Sequence, residues 1–214
     1  MTIYGKLPVP CGYFNADLTE VMHYLYLPVQ MDGGEIRLPP NVKHLQNLVQ
    51  VCILAAERLE GRTYRYVYLS ARSGWASPDN PLNRPGWHCD GFGTNDLNFI
   101  WWKGPGTRFA FQHFEEISPD HLLSLKQFDD QVVADRVVTY PEKNLYMLDS
   151  SVVHAAPVIA PPGCWRQFIK VSLSDERYNL ENNSHNHLFD YDWPLHPRDL
   201  IRNDPARAQM DFVP

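Results

Sequence analysis

Three residues of this chain have the types and spacing to hold a metal ion, and a fourth can hold an anion beside it. The stretch Gly86-Trp87-His88-Cys89-Asp90-Gly91 sets a histidine and an aspartate two positions apart. Side chains alternate along extended chain, so His88 and Asp90 point to one side and Cys89 to the other. A third ligand can come from His154, which closes the segment Asp149-Ser150-Ser151-Val152-Val153-His154. Two neutral imidazoles and one carboxylate on one face of an octahedron leave three positions open, which suits non-haem Fe(II) and oxygen chemistry. Arg166, twelve residues after His154, offers a planar fork that matches a carboxylate.

In this order, His88-x-Asp90, His154 and Arg166 resemble the motif of the Fe(II)/2-oxoglutarate-dependent oxygenases, over about residues 64–174. The resemblance implies a double-stranded β-helix, a jelly-roll or cupin-like barrel. It implies Fe(II) on His88, Asp90 and His154. 2-Oxoglutarate would chelate the iron through its C1 carboxylate and keto oxygen, with its far carboxylate on Arg166. With O₂, the cosubstrate would be decarboxylated to succinate and CO₂ as a C–H bond of a small molecule or protein side chain is hydroxylated. One position departs from the family pattern. Many members carry a small hydroxyl residue two positions after the arginine, and here that residue is Phe168. A second donor to the far carboxylate is therefore sought at Asn98, Thr107 or Tyr146, with Lys103 a lesser option.

Arg72, Trp75, Arg84 and Trp87 are the candidate substrate contacts. Arginines with aromatics can take a carboxylate, a peptide or an unstacked nucleobase. Five arginines lie between positions 58 and 87, a local excess too small to favour nucleic acid, so a small-molecule or protein substrate is preferred. Readings from other classes are a nucleobase oxygenase, a metal-binding cupin-type isomerase or binding module, and an interaction protein on a dead barrel.

The rest of the chain must position these groups. Its 214 residues, 44% hydrophobic and 13% aromatic, suffice for one packed domain, taken here as 1–214. The net charge of −6 argues against a general polyanion binder. Cys11, Cys52, Cys89 and Cys164 have no paired spacing, and the N-terminus lacks an apolar signal core. These point to reduced thiols, a cytoplasmic protein and no membrane span.

Helical spacing from Val42 to Leu59, with Asn41 to cap and Gly61 to stop, predicts a supporting helix over 41–61. Alternation predicts strands over 63–71, 96–102, 107–112, 132–140, 145–148, 152–158 and 165–174. The second and third of these are joined as a hairpin through Lys103-Gly104-Pro105-Gly106. Ser118 and Pro119 open a short helix running to about residue 130. Residues 18–27 read as strand or helix. The Pro- and Gly-rich stretch 73–86 reads as a substrate-covering loop. Residues 175–214 read as a polar extension, in which His185, His187, Asp190 and Asp192 form a solvated loop. Such short strands between Gly/Pro turns mean a sandwich or barrel.

On 165–173, Gln167, Ile169, Val171 and Leu173 alternate with Arg166, Phe168, Lys170 and Ser172. The first set is mostly apolar and is expected to pack outward, turning Arg166 inward. An inward guanidinium requires a carboxylate, either a bound one or a permanent partner such as Asp149.

Overall fold

A computed structural model describes residues 3–198; residues 1–2 and 199–214, the far part of the expected C-terminal extension, lie outside the described residues. The chain is mainly β, with nine strands and two α-helices among the described residues: β1 (Val9–Tyr13), β2 (Met22–Gln30), α1 (Gln46–Glu60), β3 (Tyr66–Ala76), β4 (Leu97–Lys103), β5 (Arg108–Ala110), α2 (His121–Gln131), β6 (Val137–Thr139), β7 (Asn144–Leu148), β8 (His154–Ala155) and β9 (Cys164–Ser174). Six strands form one antiparallel sheet in the order β1-β7-β4-β9-β3-β2. Three form a second, in the order β6-β5-β8. No helix among the described residues is long and apolar enough to cross a membrane.

The large sheet has two faces because side chains alternate. Val67, Leu69, Phe99, Trp101, Ile169 and Val171 share one side and pack with Val42, Leu45, Leu48, Val49 and Cys52 of the helical segment. The opposite side carries Ile100, Trp102, Tyr146 and Phe168, packed with Phe109 and Val152 near the small sheet. The second face also carries Arg166 and Lys170, so the site lies on the side away from α1.

Several boundaries differ from the sequence expectation. A 3-10 turn, Pro40–Leu45, precedes α1, and Leu45 takes the cap position without a side-chain bond. Asn41 instead accepts a hydrogen bond from the Tyr24 hydroxyl at 3.1 Å. Gly61 does end the helix, in the left-handed conformation at φ 64°. For α2 the cap is Asp120, whose carboxylate accepts from the Leu123 N–H at 2.7 Å, two residues after the expected Ser118. The β4–β5 hairpin does not form. β7 and β9 occupy both edges of β4, so residues 104–107 carry the chain across to the small sheet instead. The expected strands 132–140 and 152–158 shrink to Val137–Thr139 and His154–Ala155. β3 runs on to Ala76 in full register with β9, so the irregular loop is 77–86, not 73–86. Of residues 18–27, which read as strand or helix, 18–21 are coil and 22–27 belong to β2.

Candidate metal centre

His88 and His154, far apart in sequence, are joined as an antiparallel bridge. Each backbone N–H donates to the other's carbonyl at 2.9 Å. Residues directly opposite in such a pair project to the same face. The two imidazoles accordingly lie with centroids 4.5 Å apart. Asp90, two residues after His88, joins them: one ligand atom from each of the three lies within 4.8 Å of the others. Gly91 then turns the chain at φ +65°, where an added Cβ would sit 3.0 Å from Asp96 and Thr94.

The tautomers suit a metal. His88 Nδ1 lies 3.0 Å from the Gly86 carbonyl and His154 Nδ1 3.0 Å from the Val152 carbonyl. A carbonyl only accepts, so each Nδ1 carries a proton, and in the neutral ring that leaves Nε2 with its lone pair. Burial, with the neighbouring charges of His154 and Arg84, holds the His88 imidazole well below its ordinary range, in the neutral form a metal needs. This buried cluster can hold a metal ion, and it is the only such group of His, Cys, Asp and Glu among the described residues. His185 and His187 instead meet at a tilt of 56°, and His185 stacks on Tyr191.

Asp90 has a further partner. The Lys170 ammonium donates to Asp90 Oδ2 at 2.9 Å and to the Tyr26 hydroxyl at 3.0 Å. Burial works against the Asp90 charge, yet Lys170, His154 and His88 hold its carboxyl well below the usual carboxylate range. Tyr26 reaches this position from a bulge in β2 at the positive φ of 47°. Such backbone strain in a bulky residue is kept where the surroundings impose it.

The cluster faces a cavity of about 160 Å³ whose walls include Arg72, Asn83, Arg84, Thr107, Phe168 and Arg198. Arg166 stands one layer behind this wall. It is fully buried, with its guanidinium over the Phe168 ring at 5.3 Å. It donates to the Pro105 carbonyl at 2.8 Å, the Pro81 carbonyl at 3.2 Å and the Asn83 side-chain oxygen. Its second terminal nitrogen, Nη2, has no partner. No carboxylate among the described residues pairs with it; Asp149, the expected structural alternative, bonds Ser151 and lies 3.7 Å from Lys6. Burial, with Arg72 nearby, pushes the Arg166 guanidinium down to about 10.

The other expected contacts divide. Thr107, Arg72 and Arg84 line the cavity, whereas Asn98, Tyr146, Trp75 and Trp87 do not. Asn98 accepts from the Ser172 hydroxyl at 2.6 Å. Tyr146 stacks on Trp102 and donates its hydroxyl to the Pro141 carbonyl at 3.0 Å. Lys103 pairs with Asp17 near the surface. Trp75 is 57% exposed at the end of β3. Trp87 alternates with His88, so it packs with Cys89, Phe114 and Phe128 on the far side. Lys170, Tyr26 and Asn83 were missed. Lys170 had a usable signal, since an inward lysine needs a partner as much as an inward arginine does. Tyr26 had none, because a bulge re-aimed it.

No protein-family model and no curated protein matches the sequence. Among solved structures the chain is similar to the crystal structure of a bsmA homolog from Methylobium petroleophilum PM1. The identity is 18% and the TM-score 0.37, with 72% of this chain and 64% of that chain covered. The chain therefore spans under two thirds of that protein's length.

Proposed function

We propose that this protein is an Fe(II)- and 2-oxoglutarate-dependent oxygenase that hydroxylates a C–H bond, with release of succinate and CO₂. The observation that carries the reading is a buried guanidinium without a carboxylate partner, set behind the wall of a cavity that also holds two histidines and an aspartate. A metal on His88, Asp90 and His154 would supply the oxygen chemistry. The chain's own residues divide the remaining work. The Gly86 and Val152 carbonyls fix the imidazole tautomers. Arg166 fits the far carboxylate of a dicarboxylate cosubstrate, and Phe168 and Ala156 add apolar lining to the cavity. Thr107 is the one expected second donor that reaches the cavity. A double-stranded β-helix is the barrel reading we adopt. It is supported by the run β7-β4-β9-β3 facing β6-β5-β8, with the His88 segment bridged onto β8 as a further strand position.

The test is an anaerobic titration of 2-oxoglutarate into the Fe(II) protein, followed by its metal-to-ligand charge-transfer band. The wild type should develop the band, and His88→Ala, Asp90→Ala and His154→Ala should each lose it. In Arg166→Lys the fork is gone, and a charge-assisted pair loses on the order of 1.5–3 kcal/mol, about a tenfold to hundredfold higher cosubstrate requirement. A wild type without the band sinks the reading; an unshifted Arg166→Lys titration removes only that residue.

A further inference from the structure

The register between β3 and β9 sets Arg72 opposite Phe168, Ser70 opposite Lys170 and Gly74 opposite Arg166. All six are on the cavity side of the sheet, so Arg72, Arg166 and Lys170 form one cationic face. Among the residues lining the cavity, Asp90 is the one carboxylate, against Arg72, Arg84, Lys170 and Arg198. Arg72 forms no ion pair among the described residues; its Nη1 donates to the Leu82 carbonyl at 2.6 Å. Lys170 has Asp90 as its partner through Oδ2, the oxygen that also lies 3.6 Å from His154 Nε2.

A divalent metal on this cluster would compete with Lys170 for Asp90 and would add two positive charges beside it. The two carboxylates of the cosubstrate, together with Asp90, offset the metal and Arg166. Arg72 and Lys170 are then left without a counter-charge in a half-closed site, which is costly unless another anion enters. We infer that the substrate of this site is itself a small carboxylic acid, whose carboxylate is received by Arg72 and Lys170 with the Tyr26 hydroxyl beside them. The inference rests on the oxygenase reading, which supplies the cosubstrate that fills Arg166.

The test uses the full chain loaded with Mn(II), a redox-inert stand-in for iron, and saturated with 2-oxoglutarate. Short-chain carboxylic acids, plain or bearing an α-amino or α-hydroxy group, are titrated beside their primary amides and beside inorganic phosphate, and binding is read by calorimetry. At least one acid should bind about tenfold to hundredfold more tightly than its amide, the range for a charge-assisted pair. Arg72→Gln should erase that preference, and Arg72→Lys, which keeps the charge and the fold, should retain part of it. Equal binding of acids and amides, no binding of any acid, or a response to phosphate alone would overturn the inference. A normal 2-oxoglutarate titration with no acid preference sinks this inference and spares the oxygenase reading. An acid preference that survives where 2-oxoglutarate does not bind upholds the anion site and sinks the oxygenase reading.

Discussion

At the scale of single residues, Lys170 is the least expected feature of the site. Its ammonium satisfies Asp90 in the absence of metal, so it acts as a tethered counter-cation. Removing one member of a buried pair costs on the order of 3–5 kcal/mol, because the other charge stays buried and uncompensated. Lys170→Met should therefore destabilise the metal-free protein by about that amount, and clearly less once Mn(II) restores a positive charge at Asp90. Chemical denaturation with and without the ion checks this, and an equal penalty in both states would show that Lys170 is no stand-in for the metal. His88 gives a pH signature. Folded His88 resists protonation until well below its ordinary value, chiefly through burial, whereas unfolded His88 takes a proton near pH 6.5. The unfolded state then binds more protons, so stability falls as pH drops below about 6.5, by at most about 1.4 kcal/mol per pH unit for one group. His23, lowered by burial and by Arg72, adds in the same direction from a more exposed position. Denaturation midpoints between about pH 7 and 5 should slope less in His88→Gln than in the wild type; identical slopes would move the effect elsewhere.

At the scale of elements, the loop 77–86 is tied to the cationic face by three consecutive residues. The Pro81 carbonyl and the Asn83 side chain engage Arg166, and the Leu82 carbonyl engages Arg72. Asn83 stands between Arg166 and the cavity, so a carboxylate that bound Arg166 as proposed would displace this stretch. Amide exchange over 79–84 should quicken by about tenfold when 2-oxoglutarate is added to the Mn(II) protein, the effect of losing about 1.4 kcal/mol of local protection. Unchanged exchange would mean that the cosubstrate never displaces the loop. The loop's presence was legible from its prolines, but its start was not, because Ser73-Gly74-Trp75 pairs with Gln167-Arg166-Trp165 across β9 and tertiary pairing overrides local composition. Strand alternation put His88 and Asp90 on one side, where they cluster with His154. The same rule, applied one residue earlier, would have placed Trp87 with Cys89 and removed it from the substrate contacts. The β4–β5 hairpin failed for a related reason: Gly104-Pro105-Gly106 signals a reversal of the chain without saying which sheet receives it. The bridge between His88 and His154 leaves no local trace at all, since pairing of distant strands depends on the whole sheet order.

At the scale of the whole molecule, the segment after β9 binds back onto the site rather than trailing from it. The Ser184 N–H donates to the Leu25 carbonyl at 2.8 Å and its hydroxyl accepts from the Leu25 N–H at 2.9 Å, immediately before the bulge at Tyr26. Asn186, fully buried, donates to the Pro28 and Arg37 carbonyls at 2.8 and 2.9 Å. Tyr178 stacks on Tyr68 at 4.2 Å, meets Tyr26 edge-on at 5.0 Å and donates its hydroxyl to Asp96 at 2.6 Å. A chain of contacts thus runs from Tyr178 through Tyr26 and Lys170 to Asp90, and it predicts that the extension supports metal binding. Truncating a buried aromatic costs about 3–5 kcal/mol, so Tyr178→Ala should destabilise the protein by that order and weaken Mn(II) binding as well. Tyr178→Phe keeps the stacking and loses only the bond to Asp96, so it should cost about 1–3 kcal/mol and leave the metal nearly unaffected. The control is Leu48→Ala, in the fully buried layer between α1 and the outer face of the large sheet, where a similar loss of about 2–5 kcal/mol is expected. That change touches neither Tyr26 nor Lys170, so the folded fraction should titrate with Mn(II) as the wild type does. If Leu48→Ala and Tyr178→Ala weaken the metal equally, the effect is general loosening of the fold; if only Tyr178→Ala does, the extension is part of what holds Asp90 in place.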